Sequence, residues 1–307
     1  MTRRTLAALA FLVAPLALPA DSQEVYRSAS VASRWLNLPA SARLAGMGGA
    51  YVARGAEPGS LQVNPAGMAG MNGWQALLTH NSWVEGMSLE RLAGAMNFPC
   101  LGTVGATLDY LDLGLVEKVE IDSAGDPRTT GYAHPSSTAL GLAFAVDRGA
   151  LALGGALKGL FENEVSGWAA GAQLDLGAHF AFDSGARAGA SVQNLGLDFG
   201  GTLRPTSLRL GGGYTVRGRL PLALDMDADW QANDAEPPVL RAGAEWAAWK
   251  QIILRLGYVA GNDRAPTGPT LGLGWLAGMV ELDYAFYAAG ELGFSHLVTL
   301  RFVPLGL

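Results

Sequence analysis

Leu220 to Trp230 reads LPLALDMDADW. Leu220, Leu222, Leu224, Met226, Ala228 and Trp230 share one parity, and Pro221, Ala223, Asp225, Asp227 and Asp229 share the other. An extended chain turns successive side chains to opposite faces, so this segment predicts a strand with one apolar face and one carboxylate face. The alternation returns in Leu140/Leu142/Phe144/Val146, in Ile252/Leu254/Leu256/Tyr258 against Arg255, in Val280/Leu282/Tyr284/Phe286 against Glu281 and Asp283, and in Val298/Leu300/Phe302 against Arg301.

Reading outward from these segments predicts strands near 74–83, 87–98, 102–112, 137–146, 149–162, 165–181, 185–194, 206–216, 219–230, 238–247, 250–259, 268–276, 278–287 and 293–303. That is about fourteen strands, and an even number suits a transmembrane antiparallel β-barrel. Half of the chain is hydrophobic and only 16% is charged, yet no apolar run of membrane-helix length follows the N-terminus. A closed barrel reconciles these facts, because lipid-facing apolar residues alternate with lumen residues along each strand. The 42 glycines fit the same picture, since small residues let strands curve. The expected class is therefore all-β, a barrel with an N-terminal hatch or plug.

Loop lengths orient it. Gly114–Ser136, Leu195–Pro205, Gln231–Pro237 and Ala260–Thr267 are long, whereas Pro99–Leu101, Asp147–Arg148, Arg217–Gly218, Ala248–Trp249 and the Ala277 region are tight. Barrels of this kind have short periplasmic turns and longer outside loops, which places both termini in the periplasm. Trp74, Trp83, Trp168, Trp230, Trp246, Trp249 and Trp275 lie near strand ends, as an aromatic girdle requires.

At the N-terminus, Arg3 and Arg4 precede an apolar run from Leu6 to Leu18 and then Pro19-Ala20, the layout of a signal peptide cleaved after Ala20. Three segments are expected: a signal peptide over 1–20, a hatch over 21–73 and an outer-membrane β-barrel over 74–307. The single cysteine, Cys100, excludes an intrachain disulfide and reads as a buried or lipid-facing filler. The net charge of −6 and the absence of any basic block argue against nucleic-acid binding.

Several fragments carry a resemblance. NLPASARLAGMGGAYVARGAEPGSLQVNPAGMAGM at 37–71, above all Asn64-Pro65-Ala66-Gly67, resembles the opening of the PorV/PorQ family of outer-membrane proteins, barrels related to the FadL-type transporters. THNSWVEGMSLERLAGAMNF at 79–98, GALKGLFENEVSGWAAGAQLDLGAHF at 155–180, SVQNLG at 191–196 and ELDYAFYAAGELGFSHLVTLRF at 281–302 resemble later family pieces in the same order. The resemblance implies fourteen strands and placement in the outer membrane of a Gram-negative bacterium. It also implies a non-enzymatic accessory of protein export and surface attachment, of type IX secretion character, whose outside loops, Gly114–Ser136 first among them, hold cargo. Its more distant FadL side implies the alternative, a channel admitting small hydrophobic molecules; a purely structural outer-membrane protein is a third possibility. The partners expected are outer-membrane lipid, the barrel-assembly machinery, and either secretion components with exported cargo or a hydrophobic small molecule. The terminal aromatic Phe302 resembles the assembly signal of such barrels, although Val303 to Leu307 follow it.

The candidate site is the hatch and the lumen. AGMGGA at 45–50 superficially resembles a nucleotide-binding loop, but no strand–helix frame surrounds it, so Gly46, Gly48 and Gly49 read as a turn packed against the barrel wall. Asn64 and Pro65 anchor a second turn, and Asn64 is the first candidate for either a ligand contact or a turn anchor. Arg187, Arg209, Asp225, Asp227, Arg241, Arg255, Glu281 and Asp283, with Lys158, Asp109, Asp175, Glu245 and Arg301, are expected to close a filled lumen as charge pairs. The four histidines lack metal-site spacing and no nucleophile sits in a catalytic context, so no enzyme activity, metal or cofactor is expected. Asp225, Asp227, Asp229, Asn233 and Glu236 match calcium-loop positions, but Trp230 stands where the turn glycine belongs; only Asp229, Asp234 and Glu236 at the outer mouth remain as oxygen ligands.

Overall fold

The computed structural model describes residues 34–83, 86–123, 125–165, 167–198, 206–216, 221–231, 237–261, 265, 267–288 and 293–303. The signal segment, Asn233, Asp234, Glu236 and Gly218 lie outside these residues. Fourteen antiparallel strands form a closed barrel, as the alternation predicts. The first three are β1 (Trp74–Ser82), β2 (Ser88–Phe98) and β3 (Gly102–Asp112). A separate hairpin follows, β4 (Val116–Ile121) and β5 (Pro127–Ala133). The wall then continues through β6 (Ser136–Arg148), β7 (Leu151–Glu164), β8 (Gly167–Ala181), β9 (Ala186–Asp198) and β10 (Ser207–Val216). It is completed by β11 (Leu222–Gln231), β12 (Val239–Ala247), β13 (Ile252–Ala260), β14 (Gly268–Ala277), β15 (Val280–Ala288) and β16 (Phe294–Phe302).

Neighbouring strands pair in sequence order except that β3 meets β6, and β16 returns to β1 with His80 opposite Val298. Closure leaves no free edge in the wall. The parity read from Leu220–Trp230 sets the two faces: Met226 is 69% exposed on the outer surface, whereas Asp225 and Asp227 are buried in the lumen. Exposed Leu140, Leu142, Phe144, Leu254, Leu256, Leu282 and Val298 continue the outer apolar belt around the barrel. No water satisfies backbone groups inside a bilayer, so this fully paired wall under an apolar surface is a membrane-spanning structure.

Three sequence expectations change. The long connection from Gly114 to Ser136 contains the β4–β5 hairpin, whose residues are nearly all exposed; with neither face buried, it carries no alternation to read. Trp83 does not join the girdle but packs against a lumen cluster around Trp35 and Leu89. Cys100 is neither buried nor facing lipid. It sits exposed in the β2–β3 turn with a left-handed backbone, φ 69°.

The position of Cys100 on a short turn and of Glu120 on the exposed hairpin gives a topology test. A membrane-impermeant maleimide applied to intact cells should leave Cys100 unmodified. It should label Glu120→Cys in a Cys100→Gly background, glycine being the residue that left-handed turn tolerates best. The reverse pattern would invert the barrel in its membrane.

Candidate functional site

The hatch travels around the inside of the wall as a belt. Its only α-helix among the described residues, Ala42–Gly46, is capped by Ser41, whose side chain accepts from the Leu44 N–H, and its Ala42 N–H donates to Thr299 Oγ1 on β16 at 2.8 Å. From there the chain passes β14 and β13, where Thr270 donates to the Gly46 carbonyl at 3.1 Å. It then meets β11, where one carboxylate oxygen of Asp227 accepts the N–H groups of Tyr51 and Val52 at 2.5 and 2.8 Å. Ser191 on β9 donates to the Val63 carbonyl at 2.6 Å. These bonds replace the partners that water would supply to an irregular peptide outside.

Room for the belt comes from glycines facing it. Gly243 pairs with Gly257, Gly189 with Gly211, and Gly154 with Gly177 across neighbouring strands. A Cβ on any of the six would collide with the hatch: with Met47 and Gly48 at the first pair, Val52 at the second, and Ala66 and Asn64 at the third. The predicted turn glycines are the other half of this contact. Gly48 and Gly49 have φ 64° and 77°, and a Cβ on Gly46 would lie 2.9 Å from the Gly272 Cα.

Asn64 is buried and its amide is committed to the fold. Oδ1 accepts from the Ala66 N–H at 3.1 Å, and Nδ2 donates to the carbonyls of Val52 at 2.8 Å and of Ala178 on β8 at 2.9 Å. Pro65 opens the 3₁₀ turn that Asn64 caps. Asn64 ties one hatch turn to another and to the wall.

Most of the predicted lumen charges come together on one side, while Asp109, Lys158 and Asp175 lie on the other. Glu245 on β12 accepts from three arginines: Arg43 Nε and Nη2 at 2.8 Å, Arg54 Nη1 at 2.7 Å, and Arg255 Nε at 2.8 Å. Arg54 reaches Asp225 at 2.7 Å, and Arg255 reaches Asp283 at 2.5 Å and Glu281 at 3.0 Å. Arg301 pairs with Glu281 and approaches Glu57 at 3.7 Å. Glu57, from the hatch, accepts from Arg43 and from the Tyr51 hydroxyl, both at 2.7 Å. Burial pushes the Glu57 carboxyl up, but Arg43, Arg301 and these hydrogen bonds outweigh it and hold it below its ordinary value. Arg209 and Arg241 both reach Asp229 Oδ2 at 3.2 Å, and Arg187 donates to Thr215 at 2.7 Å. Sequence reasoning named most of the wall residues of this network but not Arg43, Arg54 or Glu57, because contacts of an irregular segment leave no periodic trace.

The opposite side of the lumen is small and apolar. Leu61, Met68, Ala69 and Met71 of the hatch face Ala95, Ala143, Ala145, Ala152 and Ala156 on β2, β6 and β7. Toward the long-loop end, Trp35 and Leu36 meet Leu89, Leu111, Ala139 and Leu160. Between these clusters lies a small cavity of about 30 Å³, room for little more than a water molecule, with part of the space around it open to solvent. Hatch residues Leu36, Ala40, Pro58 and Leu61 form one wall, and Ala93, Ala143 and Ala156 form the other. Arg91, Asp109 and Lys158 are its charged members.

No protein-family model matches the sequence, and no curated protein matches it. Solved structures do match. The Ralstonia pickettii toluene transporter TbuX superposes with a TM-score of 0.61 at 14% identity, over 88% of this chain and all of that one. The Pseudomonas putida toluene transporter TodX gives 0.59 at 13%, over 85% and 96%. The CymD monoaromatic hydrocarbon channel gives 0.54 at 11%, over 88% and 97%. The fold is shared with these three barrels. At these identities the likeness is one of fold, and the PorV/PorQ side of the resemblance rests on the sequence fragments alone.

Two measurements test the charged side. Glu245→Gln leaves three buried guanidinium groups short of a carboxylate, and breaking such a pair costs about 3–5 kcal/mol; the heat-dependent gel mobility shift should move to lower temperature. Glu90→Gln, in the exposed His80–Glu90 pair, should leave it in place. For Glu57 the depressed value means that its stabilisation is complete at neutral pH and is lost as pH falls through the folded-state value. Protease sensitivity of the hatch should therefore rise in acid in the natural protein, and Glu57→Gln should make the hatch sensitive already at neutral pH.

Proposed function

We propose that the chain is a FadL-like channel in the outer membrane of a Gram-negative bacterium, exported by its N-terminal segment, with the short turns in the periplasm. It admits small apolar molecules past the hatch. The observation that carries this reading is the asymmetry of the lumen: ion pairs fix the hatch to β11–β16, while alanines, leucines and methionines with a cavity between them line β2, β6 and β7. An apolar molecule entering at Trp35 and Leu36 could pass the cavity and leave by Met68 and Met71 without meeting an unpaired charge. The fold likeness to proteins named as toluene transporters and a monoaromatic hydrocarbon channel supports the same reading at the level of architecture.

The export-accessory reading has one feature in its favour. Leu115, Val119, Ile121 and Tyr132 are exposed on or beside the β4–β5 hairpin, as a surface that holds an exported protein would require. It leaves the cavity between hatch and wall without a purpose.

The two readings separate on paired variants. Ala143→Phe and Ala156→Phe fill the cavity from the wall, and toluene flux into proteoliposomes should fall at least about tenfold, since overpacking by ~1–3 kcal/mol opposes occupancy. Surface proteins should stay anchored in cells carrying either variant. Replacing 115–133 by a short linker should leave flux intact; impaired surface anchoring after that deletion, with no toluene flux in the natural protein, would establish the second reading instead.

A further inference from the structure

We infer that two ion pairs make this passage selective for neutral molecules and against carboxylates, and that Asp109 is the residue that sets the selectivity. The inference rests on the passage proposed above. Arg91 and Asp109 stand directly opposite each other on β2 and β3. Arg91 donates from Nε and Nη2 to the two oxygens of Asp109, the second bond at 3.0 Å, and both side chains are buried. Lys158 on β7 pairs with Asp175 on β8, which is fully buried and also accepts the Asn194 N–H at 2.8 Å.

Each cation of the cavity therefore has a carboxylate of its own, Asp109 within the lining and Asp175 behind it, so the four charges cancel. A neutral ring that widens the cavity by shifting Leu61 and Met68 meets Leu36, Ala93, Ala143 and Ala156 and gives up little hydration. A carboxylate gives up its water and finds the Nε and Nη2 donors of Arg91 already taken by Asp109, with Nη1 alone unpaired. To take Arg91 it would have to displace Asp109, leaving that group buried and unpaired. The arrangement contrasts with Asp229, where two arginines share one oxygen away from the cavity.

Toluene and benzoate share a ring and differ by a carboxylate in place of a methyl group. Their binding to the purified protein in detergent is measured by equilibrium dialysis, and their flux in proteoliposomes. The natural protein should bind toluene and take benzoate at least about tenfold more weakly. Asp109→Asn, which leaves Arg91 without its counter-ion, should raise the benzoate-to-toluene affinity ratio at least about tenfold, the scale of one charge-assisted hydrogen bond. Asp109→Glu should keep the natural ratio, and Arg91→Gln with Asp109→Asn should restore it.

A natural protein that prefers benzoate or binds neither solute would overturn the inference. So would an unchanged ratio in Asp109→Asn, or a double variant that keeps the raised ratio, since loosened packing would then be the cause. If Asp109→Asn does not assemble, Asp175→Asn beside Lys158 is read in the same way. Flux separates the two layers: binding selectivity without toluene flux would retire the passage and keep the filter, and flux without selectivity would do the opposite.

Discussion

Everything inside this barrel follows from the need to seat an irregular peptide where water cannot complete its hydrogen bonds. A helix satisfies its own backbone and a strand borrows from its neighbour, but the hatch, one short helix and a few 3₁₀ turns, does neither for most of its length. The wall supplies the missing partners one by one. Asp227 takes two successive N–H groups, Thr299 holds one end of the belt and the Ala178 carbonyl holds the Asn64 amide near the other, and Thr270 and Ser191 serve carbonyls between them. Contact this close is possible only where the wall carries no Cβ, which is what the paired glycines provide.

Two kinds of packing then divide the lumen. Removing one member of the Arg43–Arg54–Arg255–Glu245 cluster leaves buried charge, so each member is held by the others and that side resists separation. The cation–π placement of Arg43 and Arg54 at 5.9 and 5.8 Å from the Tyr51 ring adds to the hold. The alanine side has no such penalty. Methionine side chains there have several rotatable bonds and can give way without stranding a polar group.

How much of this could be read from the residues differs by kind of information. Strand periodicity is local and repeats, so Leu220–Trp230 and its relatives foretell the wall, its faces and which acids and bases point inward. The path of the hatch is set by contacts across most of the chain, and no pattern within 37–71 announces that Arg43 and Arg54 converge on Glu245. The glycine pairs are visible only after registers are known, since Gly154 and Gly177 become one site through the β7–β8 pairing. Trp83 shows the limit of arguing from strand ends: position along a strand says how deep a side chain lies, not whether it turns toward lipid or lumen. Asn64 is legible as a turn anchor, the role its three hydrogen bonds serve.

The division of the lumen also decides how a passage can open. Expelling the hatch would break the contacts of Glu245, Asp225 and Glu57 together, at about 3–5 kcal/mol for each buried pair left incomplete. That is comparable with the whole stability of many domains, about 5–15 kcal/mol. Shifting Leu61, Met68 and Met71 against the alanines of β2, β6 and β7 costs only dispersion contacts, each a small fraction of a kcal/mol. Small displacements on the apolar side are therefore far more frequent than release of the plug. A molecule that slips between hatch and wall needs nothing more, and one too large or too charged to do so would have to unseat the belt itself.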